Sequence, residues 1–124
     1  MRAVHLWQSF RFAFAGLGYV LRTQRNARIH VVAACAAAGL AAWLRVTRVE
    51  WALIAFSIAL VFAAEIVNTL VESLADLFSP EWSCPARIAK DTAAAAVLVA
   101  AVGALVVGLL ILGPPLWQAV RSSP

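Results

Sequence analysis

Four polar residues lie on one face of an otherwise apolar helical segment, and we call them the polar stripe: Glu65, Asn68, Glu72 and Asp76. Their spacing of i, i+3, i+7 and i+11 puts all four on the same side of an α-helix. The apolar run 51–64 leads directly into Glu65. A carboxylate costs at least ~2.5 kcal/mol at the centre of a membrane helix, so such a group is usually paired, ligating or reactive. The stripe therefore predicts an enzyme rather than only a membrane anchor.

The order of groups in the stripe suggests a division of roles. Glu65 could accept a proton, Glu72 could hold a cation, and Asn68 between them could orient either group. The alternative is a solvated helix face beyond the membrane. That alternative suits Asp76 equally well, but it suits Glu65 poorly because apolar residues precede and follow it.

Composition places the chain in the membrane. It has 124 residues, of which 64% are hydrophobic and 13% charged, whereas a soluble domain is typically about 25% charged. The formal net charge of +4 comes from Arg residues beside apolar segments, where they meet lipid headgroups rather than nucleic acid. Cys35 and Cys84 are far apart with no CxxC motif, which supports neither a disulfide framework nor a metal site.

Periodicity predicts an all-α membrane protein of one domain. We expect an N-terminal amphipathic helix on the membrane surface, three transmembrane helices, and a polar turn at 45–50. Pro80 should end the second transmembrane helix, 86–91 should begin the next, and Gly113-Pro114-Pro115 should stop it. The predicted ranges are 4–25 for the surface helix and 29–44, 51–71 and 92–112 for the spans.

The positive-inside rule sets the orientation. Seven cationic residues fall on one side and three on the other, which puts the N-terminus and the 72–91 segment in the cytoplasm of a bacterial inner membrane. The seven are Arg2, Arg11, Arg22, Arg25, Arg28, Arg87 and Lys90, and the three are Arg45, Arg48 and Arg121.

A second cluster lies at 87–91, where a loop meets the third span. Lys90 could contact phosphate oxygens, and Asp91 complements a helix N-terminus, although an ordinary positive flank is the alternative. The sequence has no GxxxxGK[ST], HRD, DFG, GxSxG or HExxH motif. His5 and His30 are far apart, and we expect His30 at the membrane interface rather than as a ligand.

Three motifs taken together resemble the prokaryotic diacylglycerol kinase family, the small trimeric integral-membrane lipid kinases. The resemblance covers about 9–112, and the segment Arg25-Asn26-x-Arg28-Ile29-His30 is similar to the undecaprenol kinase branch. The motifs are Glu65-x-x-Asn68-Thr69-x-x-Glu72-x-x-x-Asp76, Ser79-Pro80-Glu81-Trp82 and Ala89-Lys90-Asp91-x-Ala-Ala.

The resemblance implies a homotrimeric bundle with active sites between subunits at the cytoplasmic side. It implies transfer of the γ-phosphate of ATP to the hydroxyl of a membrane lipid, undecaprenol or diacylglycerol, with Mg²⁺. Glu65 matches the general base and Asn68 its polar support. Glu72 and the residue at position 24 match the metal ligands. The nucleotide contacts implied are Gln24, Glu72, Glu81, Trp82, Ser83, Lys90 and Asp91.

The chain departs from the family pattern at two of these positions. Gln24 stands where the family usually has Glu, and an amide oxygen can ligate a cation but brings no charge. Ser83 stands where the family usually has His. Two alternatives stay open: a non-catalytic membrane scaffold or regulator derived from such a kinase, and a small cation- or proton-conducting oligomer.

Overall fold

The structure, a computed structural model, describes residues 6–79 and 83–122. Within these ranges the chain is helical apart from short joints and caps. The predicted contacts Glu81 and Trp82 lie outside these residues. No strand occurs within the described ranges, which confirms the predicted all-α class. The four helices are α1 (Leu6–Thr23), α2 (Arg25–Leu44), α3 (Arg48–Phe78) and α4 (Cys84–Arg121).

The last three helices are long and apolar enough to cross a membrane, as expected. They contain 20, 31 and 38 residues, or about 30, 46 and 57 Å at 1.5 Å per residue. A hydrocarbon core is about 30 Å thick. Helices α3 and α4 must therefore project beyond it, and α1, with its exposed aromatic residues, is the short amphipathic helix that precedes them.

A single residue, Gln24, separates α1 from α2. Its backbone is extended (φ −98°, ψ 117°), while its N–H donates to the Val20 carbonyl at 2.8 Å and closes the last turn of α1. The predicted surface helix 4–25 runs past this break, because α1 ends at Thr23 and α2 begins at Arg25. The predicted span 29–44 lies within α2. The short joint fixes Gln24 beside both helices.

Helix α3 begins at Arg48, so the predicted polar turn over 45–50 is too long. Thr47 and Glu50 form a capping box, in which the Glu50 carboxylate accepts from the Thr47 N–H at 2.7 Å and the Thr47 hydroxyl accepts from the Glu50 N–H at 3.3 Å. This reciprocal pair satisfies two N–H groups that a helix start otherwise leaves open. The turn itself is completed by Arg45 in the left-handed conformation (φ 52°).

The predicted stop at Gly113-Pro114-Pro115 is wrong, because α4 continues through both prolines to Arg121. Each proline removes one backbone donor, but membrane helices tolerate this where neighbouring groups satisfy the freed carbonyls. Leu112, just before the prolines, is buried against Ala41 and Ile54. That packing anchors the helix on the N-terminal side of the interruption.

Helices α3 and α4 form the most extensive helix pair, and they run antiparallel. At one end of the pair lies the cluster of Ala41, Ile54 and Leu112. At the other end, the C-terminal half of α3 meets the start of α4 and the joint at Gln24. Small buried residues such as Ala93 and Ala100 line the contact face of α4, which permits close approach of the helices.

Candidate active site

Burial of the polar stripe follows its order along α3. Glu65 is 1% exposed and Asn68 7%, Glu72 is half-buried, and the side chain of Asp76 is exposed. The stripe faces α2 and the start of α4, rather than the lipid. One side of α3 therefore passes from a buried carboxylate to a solvated one over three helical turns.

Two amide side chains hold Glu72. Gln24 donates from Nε2 to Oε2 of Glu72 at 3.1 Å, and Asn68 donates from Nδ2 to Oε1 at 3.4 Å. Both carboxylate oxygens thus have a neutral donor. The two residues that the resemblance implies as metal ligands are thus in direct contact, although 48 positions separate them in the chain; their role as ligands stays a prediction.

Glu65 on α3 faces His30, which lies in the second turn of α2. Nε2 of His30 lies 3.2 Å from Oε1 of Glu65, at ion-pair distance but without the alignment of a hydrogen bond. From the sequence, His30 was expected at the membrane interface and not beside the polar stripe. No local spacing connects the two residues, since their contact depends on the packing of α2 against α3.

A polar cavity of about 260 Å³ opens beside these groups. Two buried oxygens on its lining residues, Oε1 of Glu65 and Oδ1 of Asn68, accept no hydrogen bond from any described residue. Such acceptors favour a ligand that brings a donor, such as a hydroxyl group. The wall is completed by Asn26, Ile29 and His30 and by the apolar α4 residues Ala94, Val97, Leu98 and Ala101.

An apolar cavity of about 490 Å³ continues from His30 along α2, α3 and α4 towards Leu116. Its lining is almost entirely Ala, Val, Leu, Ile and Gly, with Ser57 and His30 as its polar members. His30 lines both cavities. The polar cavity therefore joins a groove suited to hydrocarbon.

The predicted nucleotide contacts on α4 lie at the same end of the bundle, but they do not all meet the stripe. Lys90 donates from Nζ to Oδ1 of Asp76, one turn beyond Glu72. Asp91 instead pairs with Arg87 at 3.6 Å, and both side chains are exposed. Ser83 caps α4, since its hydroxyl accepts from the N–H of Ala86 at 3.3 Å.

The donor set around Glu72 fits a divalent cation that also binds phosphate. No group of three or more His, Cys, Asp or Glu side chains with metal-site geometry occurs in 6–79 and 83–122. Mg²⁺ does not require one, because it commonly takes one or two carboxylates, waters and substrate phosphates. Glu72 offers the carboxylate. Gln24 and Asn68 present their amide nitrogens to it, so either amide would have to turn over before its oxygen could join Glu72 as a ligand.

The fold and the site define a small helical membrane protein with an acidic site at one end of its bundle. Residues 11–112 match the family described as prokaryotic diacylglycerol kinase. The chain belongs to the prokaryotic diacylglycerol kinase family. The family expected from the sequence motifs is confirmed, as is the expected enzyme class, the lipid kinases, at the level of that family.

Two relatives illustrate the similarity. A diacylglycerol kinase of Synechocystis sp. is 43% identical over 115 residues, which cover 92% of this chain and 66% of the relative. An undecaprenol kinase of Bacillus subtilis is 37% identical over 110 residues, which cover 89% of each chain. The chain thus spans just under two thirds of the first relative and nearly all of the second.

Proposed function

We propose that this protein is a membrane lipid kinase that transfers the γ-phosphate of ATP to the hydroxyl of undecaprenol or diacylglycerol. The observation that carries the proposal is a pair of buried acceptors, Oε1 of Glu65 and Oδ1 of Asn68, that accept no hydrogen bond from a described residue and lie seven and four residues before a half-buried Glu72. Hydroxyl-accepting and cation-holding groups thus lie on one face of one helix. Family membership supports the same chemistry.

In the proposed reaction, Glu65 takes the proton of the lipid hydroxyl. The lipid oxygen then forms a bond to the γ-phosphorus of ATP as the bond to the β–γ bridging oxygen breaks and ADP leaves. Asn68 supports both ends, since its Nδ2 donates to Glu72 while its Oδ1 faces the same cavity as Glu65. A bound Mg²⁺ would neutralise charge on the phosphates, and Glu72 with Gln24 would hold it.

The lipid would enter from the membrane without leaving it. The apolar cavity that begins at His30 can take hydrocarbon while the hydroxyl reaches the polar cavity beside Glu65. Lys90, already held by Asp76 at this end of the bundle, would reach ATP phosphate oxygens as a point charge. We place this end of the bundle in the cytoplasm of a bacterial inner membrane, where ATP is available.

Assembly is part of the proposal. The resemblance implies a homotrimer, and the exposed apolar side chains on all three long helices leave room for contacts between copies as well as with lipid. In that arrangement a neighbouring copy would close the nucleotide site over Glu72 and Lys90.

The test is phosphorylation by the purified protein in detergent–lipid micelles, with γ-labelled ATP, Mg²⁺, and undecaprenol or diacylglycerol offered separately. We expect label in one lipid, and loss of roughly a hundredfold or more of that activity in Glu65→Gln, the size typical of a missing general base. Glu50→Gln is the matched control, because it makes the same change in the capping box at the far end of α3.

Wild-type turnover by Glu65→Gln would remove Glu65 as the base. Absence of label from both lipids, in protein that inserts normally, would favour the scaffold alternative instead.

A further inference from the structure

We propose that His30 is a positioning residue for Glu65, holding its carboxylate ready for the lipid hydroxyl. This inference deepens the proposed function and rests on it, because it takes Glu65 as the base. His30 acts through Glu65 in this role and does not itself remove the substrate proton.

The contact between the two side chains is the first support. Glu65 is 1% exposed, and Nε2 of His30 lies 3.2 Å from its Oε1, whereas the His30 side chain is 21% exposed. Among the described residues no other cationic side chain lies within ion-pair distance of Glu65. His30 is thus the one described side chain at ion-pair distance from this buried carboxylate.

The position of His30 between the two cavities is the second support. It lines both the polar cavity and the apolar one, at the point where a lipid hydroxyl would meet its hydrocarbon chain. His30 from α2 and Glu65 from α3 are the titratable groups on these two linings, and α4 contributes apolar side chains only.

A misaligned contact in the free protein suits this role. Hydrogen bonds of catalytic groups are often long or poorly aligned without substrate and tighten when it binds. A ring N–H that donates to Oε1 would stabilise the charged carboxylate and fix its rotamer. With Oε1 held by His30, Glu65 would present its second carboxylate oxygen to the lipid hydroxyl in a constant place, and Oδ1 of Asn68 would stay the open acceptor on the cavity wall.

Kinetics of two substitutions test the role. His30→Leu removes the donor with little change in volume, whereas His30→Gln keeps an N–H. We expect His30→Leu to lower kcat roughly tenfold to a hundredfold, the cost of a misplaced reacting group. The KM for ATP should stay within about twofold, because His30 lines the two lipid-side cavities and not the surroundings of Glu72 and Lys90. His30→Gln should recover most of the kcat.

Cys35→Ala is the control on the same helix, since Cys35 is exposed and lines neither cavity. Wild-type kcat in His30→Leu, or a His30→Gln variant no better than His30→Leu, would overturn the positioning role.

The ¹⁵N NMR signals of the His30 ring test the contact without measuring activity, and they do not require that His30→Leu folds. The chain has two His residues, so a His5→Gln background leaves the ring ¹⁵N signals of His30 alone. We expect those signals to shift on Glu65→Gln and to stay in place on Glu50→Gln. Signals unchanged by Glu65→Gln would overturn the contact, whereas a wild-type protein inactive on every lipid alcohol would overturn the proposed function.

Discussion

The carboxylate of Glu72 is held by neutral amide side chains and not by cationic ones. Glu72 has Gln24 and Asn68 as its hydrogen-bond donors, at 3.1 and 3.4 Å. Amide donors hold a carboxylate in place without neutralising it. The negative charge of Glu72 thus stays available to a cation, although Gln24 adds none of its own.

Replacing Gln24 with Glu is expected to tighten the dependence on Mg²⁺. Two carboxylates would then face each other, which favours a divalent ion and disfavours the ion-free state. We expect the Mg²⁺ concentration for half-maximal activity to fall roughly tenfold, the lower end of what altered ligand surroundings do to metal affinity. Thermal unfolding in detergent should also show a larger stabilisation by Mg²⁺ than in the wild type.

Gln118→Glu makes the same change at the far end of α4 and serves as the control for Gln24→Glu. An unchanged Mg²⁺ titration in Gln24→Glu would mean that position 24 is remote from the bound cation.

Replacing Lys90 with Gln is expected to weaken ATP binding selectively. A charged hydrogen bond is worth about 1.5–3 kcal/mol, so the KM for ATP should rise roughly tenfold or more. The KM for lipid should not change, because Lys90 lies on the solvated side, paired with Asp76. Steady-state kinetics with each substrate varied in turn measure the difference, and equal ATP KM values would exclude Lys90 from the nucleotide site. Arg48→Gln, which removes a cation at the opposite end of α3, is the control.

At the scale of elements, the local rules for soluble helices describe the start of α3 correctly and fail near the C-terminal end of α4. Thr47-Arg-Val-Glu50 carries the capping-box signature. Because of this cap, α3 begins three residues before the predicted span. Pro114 and Pro115 carry a stop signal that α4 ignores. In a soluble helix, water can bond the carbonyl groups that a proline leaves without a donor, so the helix can end there. In a membrane no water replaces the remaining backbone hydrogen bonds, so continuing the helix costs less than ending it.

The capping box gives a prediction that is separate from catalysis. Thr47→Ala should destabilise the protein by about 1 kcal/mol, because the Glu50 N–H loses its acceptor and the Glu50 carboxylate loses the hydroxyl donor. Equilibrium unfolding in mixed micelles measures the change, while lipid phosphorylation should be unaffected at this distance from Glu72. Ser57→Ala, whose hydroxyl donates only to the Leu53 carbonyl of its own helix, should be close to neutral. Equal stability of the two variants would contradict the cap.

At the scale of the molecule, the sequence predicted the class of fold and the shared face of Glu65, Asn68, Glu72 and Asp76 on α3, because period and hydropathy are local properties. Apart from Gln24, it did not predict the partners of that face. His30 with Glu65 and Lys90 with Asp76 are tertiary contacts, joining residues 35 and 14 positions apart. Lys90 was expected at phosphate, and Asp76 was left open between site and solvent, because no spacing rule registers one helix against another.

Orientation in the membrane can be tested with the two native thiols. Cys84 is exposed at the start of α4, and Cys35 is exposed midway along α2, where lipid would surround it. An impermeant maleimide should therefore label Cys84 in inside-out vesicles and not in intact spheroplasts, and Cys35 in neither. A Ser122→Cys variant in a Cys84→Ala background should label only from outside. The reverse pattern would invert the proposed topology.

Gln24 is both the whole connection between α1 and α2 and a direct neighbour of Glu72. Helix α1 is thus tied to the acidic site both through this side chain and through its own packing on α3, with no flexible segment between them. We expect substitutions among the aromatic residues of α1 to shift Gln24 beside Glu72. On the proposed function, such variants would show an altered dependence on Mg²⁺ before any loss of folding.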